Sequence, residues 1–384
     1  MSLFSSSSSY LGVDIDSHSI KIVELANDKG RPRLVTYGYF DHDLEKKFSD
    51  KDEAMRKEAA AIILEICKKA RTSSKTVISG LPAFSVFSSV LTLPAMSKKE
   101  LGQAIKWEAK KVIPLSLDDM ILHWDVLDDK FGGVAESGQT AQTQNTGLAN
   151  QGGGEGQKAG GLLHISRNKD LKSTKILLTA APKDMVFRYI DIFKETGLTL
   201  LSLDTEQFAF IRSLIGRDIS TIMVVDIDFA VTNISVIQGG IPFLNRSINV
   251  GGLTITKAVA NSLNISLKRA EQFKYDIGLT HTENAPTDIP KTIEQAIAPI
   301  IDEIKYSMNL FKSQGKENIE KVILTGGSSL LANLPNYLSN TLSMKVFLGD
   351  PWARVMYPEE LKPALQEIGP RFSVAIGLAM KEIR

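Results

Sequence analysis

The chain has 384 residues, of which 43% are hydrophobic and 23% are charged, a composition typical of a globular protein with two or three domains. Its 45 basic and 44 acidic side chains leave a net charge of +1, which argues against a nucleic-acid-binding protein that depends on bulk positive charge. No stretch reaches the about 18 consecutive apolar residues of a membrane-spanning helix, and the N-terminus lacks the pattern of a secretory signal. The single cysteine, Cys67, excludes an intramolecular disulfide, so the sequence predicts a protein of the reducing cytoplasm.

The first part of the chain predicts a mobile Ser-rich tail at residues 1–9 and then a β-β-β-α-β unit. In chain order, the unit has strands at 10–15, 20–25 and 34–40, a helix at 50–71 and a strand at 76–81. Apolar residues recur at helical spacing in the helix, and Cys67 lies among them. We therefore expect Cys67 to be a buried structural thiol.

Residues 85–181 are predicted to form a separate inserted module. A strand at 86–91 precedes a helix at 97–113, whose start carries Ser97 and Glu100 at the spacing of a capping box. Three lysines share one flank of this helix: Lys99, Lys106 and Lys110. Such a row is usually a solvated face, and an edge that binds a partner is the alternative.

Residues 132–161 interrupt the module with a change of composition. Ten of these 30 residues are glycine, five are glutamine, and none is aromatic or isoleucine. The segment cannot bury enough apolar area to offset the entropy of ordering it. It is predicted to be a disordered loop between strands of the module, which resume at 162–166 and 175–181.

The second half of the chain repeats the opening pattern. Its predicted elements are helices at 182–196 and 206–215 around a strand at 198–203, strands at 221–227, 232–237 and 241–248, a long helical region at 252–275, a polar loop at 281–290, a helix at 291–314, a strand at 322–324, a helix through 338 and a terminal helix at 372–383. The chain therefore predicts two similar units in tandem, each with an insertion.

Two short turns with the same pattern carry the chemistry. The first reads VDIDSHSIK at residues 13–21 and the second VDIDFAVT at 225–232. Such turns direct several backbone N–H groups at one point, which suits a phosphate. The strand-end carboxylates Asp14 and Asp226 can hold Mg²⁺ through water, and Lys21 can place a positive charge on a phosphate.

Three further elements suit a nucleotide. Gly326, Gly327 and Ser328 follow a predicted strand, where glycine permits close approach of a ligand. A second glycine pair, Gly251-Gly252, opens the long helical region. Glu271 and Lys274 lie one helical turn apart and can face one ligand, although taken alone they indicate a surface ion pair.

This ordered set of motifs resembles the actin/Hsp70/hexokinase ATPase superfamily, and more closely its FtsA-like branch, the type IV pilus assembly protein PilM family. The matching stretches are 11–25, 79–82, 93–94, 107–114, 204–209, 324–328 and 375–379. The resemblance covers residues 10–384 apart from 132–161. The stretch WEAKKVIP at 107–114 is the most specific to the branch, since other ATPases of the superfamily lack this module.

The resemblance implies an α/β protein with an actin-like (ribonuclease H-like) fold, in which two duplicated β-β-β-α-β-α domains carry an inserted α+β subdomain called 1C. The implied subdomains are 1A at 10–84, 182–220 and 360–384, 1C at 85–181, 2A at 221–251 and 315–359, and 2B at 252–314.

The resemblance also implies ATP and Mg²⁺ as cofactors and assigns roles to residues. Asp14 and Asp226 would organise Mg²⁺. The remaining ligand residues would be Asp16, Ser17, Ser19, Lys21, Asp228 and Thr232 in the phosphate turns, Gly251 and Gly252 near the β- and γ-phosphates, Glu271 and Lys274 at the ribose and adenine, and Gly326, Gly327 and Ser328 beside the adenosine. Glu206 resembles the residue that orients the attacking water in related ATPases, but Gln207 replaces the proline that usually follows.

Both phosphate turns depart from the family at the same place. The usual third residue is glycine, whereas this chain has Asp16 and Asp228. A carboxylate about 4 Å from a phosphate charge costs about 4 kcal/mol at an effective dielectric constant of 20. Three interpretations follow: binding of Mg-ATP with altered coordination, nucleotide binding without turnover, and a scaffold without nucleotide. His18, between these turn residues, is expected to point to solvent rather than to a phosphate.

The implied function is that of a cytoplasmic subunit of the type IV pilus inner-membrane platform, located at the membrane through its partner. The implied partner is the N-terminal cytoplasmic peptide of a PilN-like bitopic membrane protein, held in a groove between an actin-like subdomain and the 85–181 module. Self-association is allowed, whereas nucleic acid and direct membrane insertion are not expected. The alternatives are an FtsA-like cell-division protein, the equivalent subunit of a type II secretion platform, and a small-molecule kinase or Hsp70-like ATPase.

Overall fold

A computed structural model describes most of the chain. The described residues are 8–46, 48, 52–94, 96–113, 115–127, 134–135, 173–280, 288–315 and 318–383. The first seven residues of the predicted tail, most of the predicted loop and the predicted strand at 162–166 lie outside them. Within the described residues no helix is long and apolar enough to cross a membrane.

The elements predicted from the sequence occur in the expected chain order among the described residues, whereas the strands at 120–127 and 345–348 and the helix at 362–368 were not predicted. The strands are β1 (Ser9–Ile15), β2 (Ser19–Asp28), β3 (Arg31–Asp41), β4 (Thr76–Leu81), β5 (Phe87–Pro94), β6 (Met120–Leu127), β7 (Val134–Ala135), β8 (Ser173–Pro182), β9 (Thr199–Thr205), β10 (Thr221–Ile227), β11 (Thr232–Gln238), β12 (Ile241–Ile248), β13 (Lys321–Thr325) and β14 (Lys345–Leu348). The helices are α1 (Asp52–Ala70), α2 (Lys98–Val112), α3 (Lys183–Thr196), α4 (Glu206–Phe210), α5 (Gly252–Leu263), α6 (Leu267–Ile277), α7 (Asp288–Ser313), α8 (Leu334–Leu342), α9 (Lys362–Ile368) and α10 (Ser373–Ala379).

Two five-stranded sheets have the same topology. Their strand orders are β3-β2-β1-β4-β9 and β12-β11-β10-β13-β14. In each sheet three antiparallel strands form a meander, and two parallel strands extend it on the other side. The inner strands read as nearly continuous apolar runs because both faces of the sheet are covered. The tandem repeat predicted from the sequence is therefore present in the fold.

A third sheet, in the order β5-β8-β6-β7, belongs to the inserted module. Helix α2 packs on it through a core that includes Leu101, Ile105 and Ala109. The predicted capping box is confirmed, since the Ser97 hydroxyl accepts from the Glu100 amide and Glu100 accepts from the Ser97 amide. The predicted loop starts too early, because β7 pairs with the end of β6.

Helix α10 lies in the middle of the molecule and joins the two halves. Gly12 in β1 allows it to approach, because a Cβ atom there would collide with the Ala375 carbonyl oxygen. Residues of β4, α4, β10 and α10 then form one apolar cluster between the two large sheets, represented by Ile78, Phe210 and Val224. This packing fixes the β1–β2 and β10–β11 turns relative to each other.

Three helix predictions need correction. The long helical region is two helices, because Asn264 adopts a left-handed conformation with φ of 52° that ends α5, and Ser266 caps α6. The helix expected directly after the glycine pair is a 3₁₀ turn, and α8 begins only at Leu334. Helix α7 begins before the predicted residue 291, since Pro290 is tolerated in a first helical turn.

Candidate functional site

The two repeated turns have the same backbone geometry. The Asp16 amide donates to the Ser19 carbonyl at 2.9 Å in the first turn, and the Asp228 amide donates to the Val231 carbonyl at 3.0 Å in the second. Each turn follows a buried strand that ends in the motif Asp-Ile-Asp. Sequence repetition here therefore corresponds to structural repetition.

Lys21 is buried and held by the carboxylates of its own turn. Its Nζ lies 3.2 Å from Asp14 Oδ2 and also forms an ion pair with Asp16. Asp16 receives a further hydrogen bond of 3.1 Å from the Ser19 hydroxyl. Burial alone would lower the pKa of Lys21, but Asp14 and Asp16 raise it well above its ordinary value. Lys21, which was expected to lie on a phosphate, is therefore paired with Asp16, the residue that stands where the family has glycine.

Five carboxylates converge where the two turns face each other: Asp14, Asp16, Glu206, Asp226 and Asp228. Carboxylate oxygens of Asp14, Asp16 and Glu206 lie within 4.8 Å of one another. Burial, followed by the charge of Asp16, raises the pKa of Asp14 to about 7. Burial also raises the pKa of Asp226 and of Asp228, with neighbouring carboxylates adding to the effect.

This donor set fits a hard divalent cation. Mg²⁺ prefers oxygen ligands and retains water in its coordination shell. The cluster offers only carboxylate oxygens, and Lys21 is the one cation that the described contacts place on Asp14 and Asp16. A bound cation would offset the repulsion between these carboxylates, which adds to burial in raising their pKa values.

Glu206 begins α4 and joins this cluster. Its Oε2 accepts a hydrogen bond of 3.0 Å from the Ala83 amide, and its side chain is buried. Burial raises the pKa of Glu206 well above its ordinary value, and the charge of Asp14 adds to the shift. The adjacent Gln207 is also buried, and its amide atoms have no partner within the described ranges.

The glycine motifs meet at the second turn. The Gly252 amide donates to the Asp228 carbonyl at 2.9 Å, and a Cβ atom on Gly251 would lie 2.5 Å from that same oxygen. Gly326 has a φ of 84°, and a Cβ atom there would lie 2.6 Å from Asp226 Oδ1. The Ser328 hydroxyl donates to the Asp228 carbonyl at 3.3 Å. A side chain at Gly326 would therefore crowd the Asp226 carboxylate, and one at Gly251 would collide with the backbone of the second turn.

Two other predicted ligand residues of the turns, Thr232 and Ser17, lie in different environments from the carboxylates. The Thr232 hydroxyl is buried and donates to the Val250 carbonyl at 2.6 Å, so it is used within the protein. Ser17 is exposed and lines a cavity of about 260 Å³ together with Asp16, Glu206 and Asp228.

The ion pair between Glu271 and Lys274 forms, but it is not on the surface. Lys274 is 1% exposed, and its Nζ lies 2.8 Å from Glu271 and 3.1 Å from the Thr256 hydroxyl. Burial lowers the pKa of Lys274, and Glu271 opposes that shift. Glu271 retains a side-chain exposure of 24%, so Glu271 is the member of the pair that a ligand can reach.

His18 is buried rather than directed to solvent, which corrects the expectation from sequence. Its imidazole stacks on Phe229 of the second turn, with ring centroids 3.5 Å apart and planes inclined by 7°. Its Nδ1 lies 3.0 Å from the Lys46 carbonyl oxygen, and burial lowers its pKa. The two turns thus contact each other directly through an aromatic pair that a local motif search does not reveal.

A second group that sequence reasoning missed surrounds Gly327. Arg371 Nη2 lies 2.5 and 2.6 Å from the two carboxylate oxygens of Asp41, and its guanidinium lies 4.7 Å from the Tyr39 ring centroid. A Cβ atom on Gly327 would lie 3.6 Å from Arg371 Cγ, and the Tyr275 hydroxyl donates to the Gly327 carbonyl at 3.3 Å. These residues come from distant parts of the chain, so no spacing in the sequence signals them.

The repeated sheets and their facing acidic turns define the class of actin-like ATPase folds. Solved structures agree. The MreB5 protein of Spiroplasma citri bound to ADP has a TM-score of 0.50 and 12% identity over 97% of this chain and 96% of its own. The ethanolamine utilization protein EutJ of Carboxydothermus hydrogenoformans has a TM-score of 0.53 and 14% identity over 97% and 89% of the two chains.

Within this class, the family is that of type IV pilus assembly protein PilM. The sequence model of the family with that description matches residues 12–138 and 163–383, and the chain belongs to this family. A solved structure described as the PilM-PilN type IV pilus biogenesis complex is similar over 98% of each chain, with 24% identity and a TM-score of 0.74. The cell division protein FtsA of Rhizobium meliloti (strain 1021) is 26% identical over an alignment of 176 residues that covers 40% of this chain and 38% of FtsA.

Proposed function

We propose that this chain is the cytoplasmic, actin-like subunit of a type IV pilus inner-membrane platform. Its partner is the N-terminal cytoplasmic tail of a PilN-like bitopic membrane protein, which holds it at the inner face of the membrane. The observation that carries this proposal is the family match, which spans both actin-like halves and the inserted module. The similar solved complex of PilM with PilN supports the choice of partner.

The tail is proposed to dock between an actin-like half and the module formed by residues 85–181. Ala83, which lies just before this module, forms hydrogen bonds to the carboxylate cluster and to the second half of the chain. The Ala83 amide donates to Glu206 at 3.0 Å, while the Ala83 carbonyl accepts from Asn245 Nδ2 of β12 at 2.8 Å. A change at the carboxylate cluster can therefore bias the position of the module, which is a shift between two populated states.

The ligand of the central cleft is proposed to be Mg-ATP. Asp14 and Asp226 would hold the cation through water, with Asp16 and Asp228 close enough to take part. Glu271 would accept from the ribose, and Gly326 and Gly327 would border the adenosine. A bound Mg²⁺ supplies positive charge against both the phosphates and the carboxylates. The actin-like fold supports a nucleotide, since MreB5 of the same fold is bound to ADP in its solved structure.

Binding without rapid turnover is the mode that this cleft favours. Glu206 is the candidate for orienting a water, but its Oε2 already accepts from the Ala83 amide at 3.0 Å, and burial raises its pKa well above the ordinary value, which disfavours the ionised form. A protonated carboxylic acid is a poor acceptor for the proton of an attacking water. We therefore propose that nucleotide binding itself changes the conformation of the protein, and that hydrolysis is not the main source of that change.

A titration with the partner's tail tests the proposal. A fluorescent peptide of the tail should bind the full chain with micromolar affinity, as followed by fluorescence anisotropy, while a scrambled peptide of the same composition should not. Equal anisotropy curves for the two peptides, or no binding at high micromolar protein, would count against a role as the docking subunit.

A further inference from the structure

One face of α2 exposes an aromatic side chain that neither the fold nor the candidate cleft uses. Trp107 is 74% exposed, although tryptophan is among the residues that gain most from burial. The other two tryptophans are better covered, since Trp124 is partly buried against the core of the module and Trp352 is 1% exposed.

Basic side chains surround Trp107 on the same helix. Lys110 and Lys111 lie three and four residues further on, so they neighbour it on the helix surface, and Lys106 lies beside it. All three lysines are exposed. We call the exposed residues Gln103, Lys106, Trp107, Lys110 and Lys111 the Trp107 face.

The acidic groups near this face limit its charge and its extent. Lys111 is paired with Glu108 at 2.6 Å, so the Trp107 face and Glu108 together carry two net positive charges. Beyond the helix, Asp118 and Asp119 are exposed and Lys183 Nζ donates to the Asp118 carbonyl oxygen. The positive surface therefore ends before this acidic turn.

We propose that the Trp107 face binds the anionic headgroup surface of a lipid bilayer. An indole ring is amphipathic and prefers the headgroup level of a bilayer, and each lysine near an anionic surface adds a favourable interaction. A bilayer accepts an indole on an exposed, outward-facing helix without a preformed pocket. An acidic protein partner, in contrast, would have to supply a matching cavity for the ring.

The predicted interaction is weak by itself. Two net charges and one indole give reversible adsorption and not stable anchoring. If the tail of the proposed function also binds, the Trp107 face would be the second contact of a bivalent attachment. The bound tail would then keep this face at a high effective concentration near the bilayer, so a weak contact would be occupied more often. Adsorption of the isolated protein does not depend on that proposed partner.

Vesicle flotation of the full chain tests the inference. We expect the protein to float with vesicles of phosphatidylcholine and phosphatidylglycerol, but not with pure phosphatidylcholine, and to be released by high salt. The charge-reversed variant Lys106→Glu, Lys110→Glu should partition at least about tenfold less, and Trp107→Ser should also lose binding. The matched control Lys68→Glu, Lys69→Glu makes the same charge change at exposed lysines of α1 and should float like the wild type.

Tryptophan fluorescence gives a second readout on the same samples. The anionic vesicles should shift the wild-type emission to shorter wavelength, and Trp107→Phe should lack that shift. The inference is overturned if the wild type does not float with anionic vesicles, or if the α2 and α1 charge reversals reduce flotation equally. Binding of the tail peptide, measured in parallel, separates a failure here from a failure of the proposed function.

Discussion

At the scale of single residues, aspartate in place of glycine in both phosphate turns makes the cleft acidic. Asp16 does not simply add repulsion, because it takes Lys21 as its partner. Asp14 shares Lys21 with Asp16, and burial followed by the charge of Asp16 still raises the pKa of Asp14 to about 7. The aspartates were visible in the sequence, whereas the capture of Lys21 by its own turn was not, because it depends on side-chain rotamers within a buried hairpin.

These raised pKa values predict how stability depends on pH. An aspartate with a native pKa near 7 and an unfolded pKa near 4 binds more protons in the native state between those values, so stability falls as the pH rises from about 4 to about 7. For Asp14 the effect is of the order of a few kcal/mol. Urea unfolding at a series of pH values should show this fall, and Asp14→Asn should flatten it.

Added Mg²⁺ provides the control for the pH experiment. It should restore stability mainly above pH 7, where the carboxylates are ionised, and should have little effect near pH 4. A wild-type stability that rises between pH 4 and pH 7 in the absence of divalent cations would contradict the electrostatic description of the cluster.

At the scale of elements, the strands of the two sheets were predictable where they are apolar runs that end in turn residues, and the four-residue edge strand β14 was missed. Strands β4, β10 and β12 begin and end where the pattern predicts. The errors fall where local preferences compete, as at Asn264 between α5 and α6 or in the two-residue strand β7. Contacts between distant segments, such as His18 with Phe229, depend on the packing of whole elements and have no local signal.

The contact of β1 with α10 gives a prediction at this scale. Gly12→Ala should destabilise the protein by several kcal/mol, because the added Cβ atom meets the backbone of Ala375 and lies 2.6 Å from the Ala379 amide nitrogen. Gly102→Ala in α2 is the matched control, since nothing lies within 4 Å of the added atom. It should stabilise the helix by about 0.5–1 kcal/mol. Thermal unfolding of both variants measures the contrast, and equal melting temperatures would show that α10 does not need this close approach.

At the scale of the whole molecule, the fold brings the module and the cleft into one connected system. The Ala83 carbonyl accepts a hydrogen bond from Asn245 of the second half, and the Ala83 amide donates one to Glu206 beside the acidic turns. The sequence predicted the actin-like halves and the insertion through recurring motifs, but not this connection, because a backbone carbonyl and a side chain 162 positions away leave no pattern in the sequence.

This connection predicts that nucleotide and tail affect each other's affinity. We expect saturating Mg-ATP to change the affinity for the tail peptide by about fivefold or more, and the peptide to change the affinity for Mg-ATP by the same factor. Asn245→Ala should reduce that factor toward one, whereas Asn336→Ala, exposed on α8 with a local hydrogen bond to Asn333, should leave it unchanged. Anisotropy titrations with and without Mg-ATP measure the factor, and an unchanged factor in Asn245→Ala would exclude this route.

We propose that the cleft binds ATP only together with a divalent cation, because its carboxylates, Asp16 and Asp228 among them, repel the bare phosphates. Calorimetric titration of the wild type beside the double variant Asp16→Gly, Asp228→Gly tests it most directly. We expect micromolar binding of Mg-ATP to both proteins, and binding of ATP in the presence of EDTA to the double variant alone. If only the double variant binds Mg-ATP, the wild-type chain has kept the actin-like fold as a docking scaffold without a nucleotide, and the wild-type cleft is not a nucleotide site.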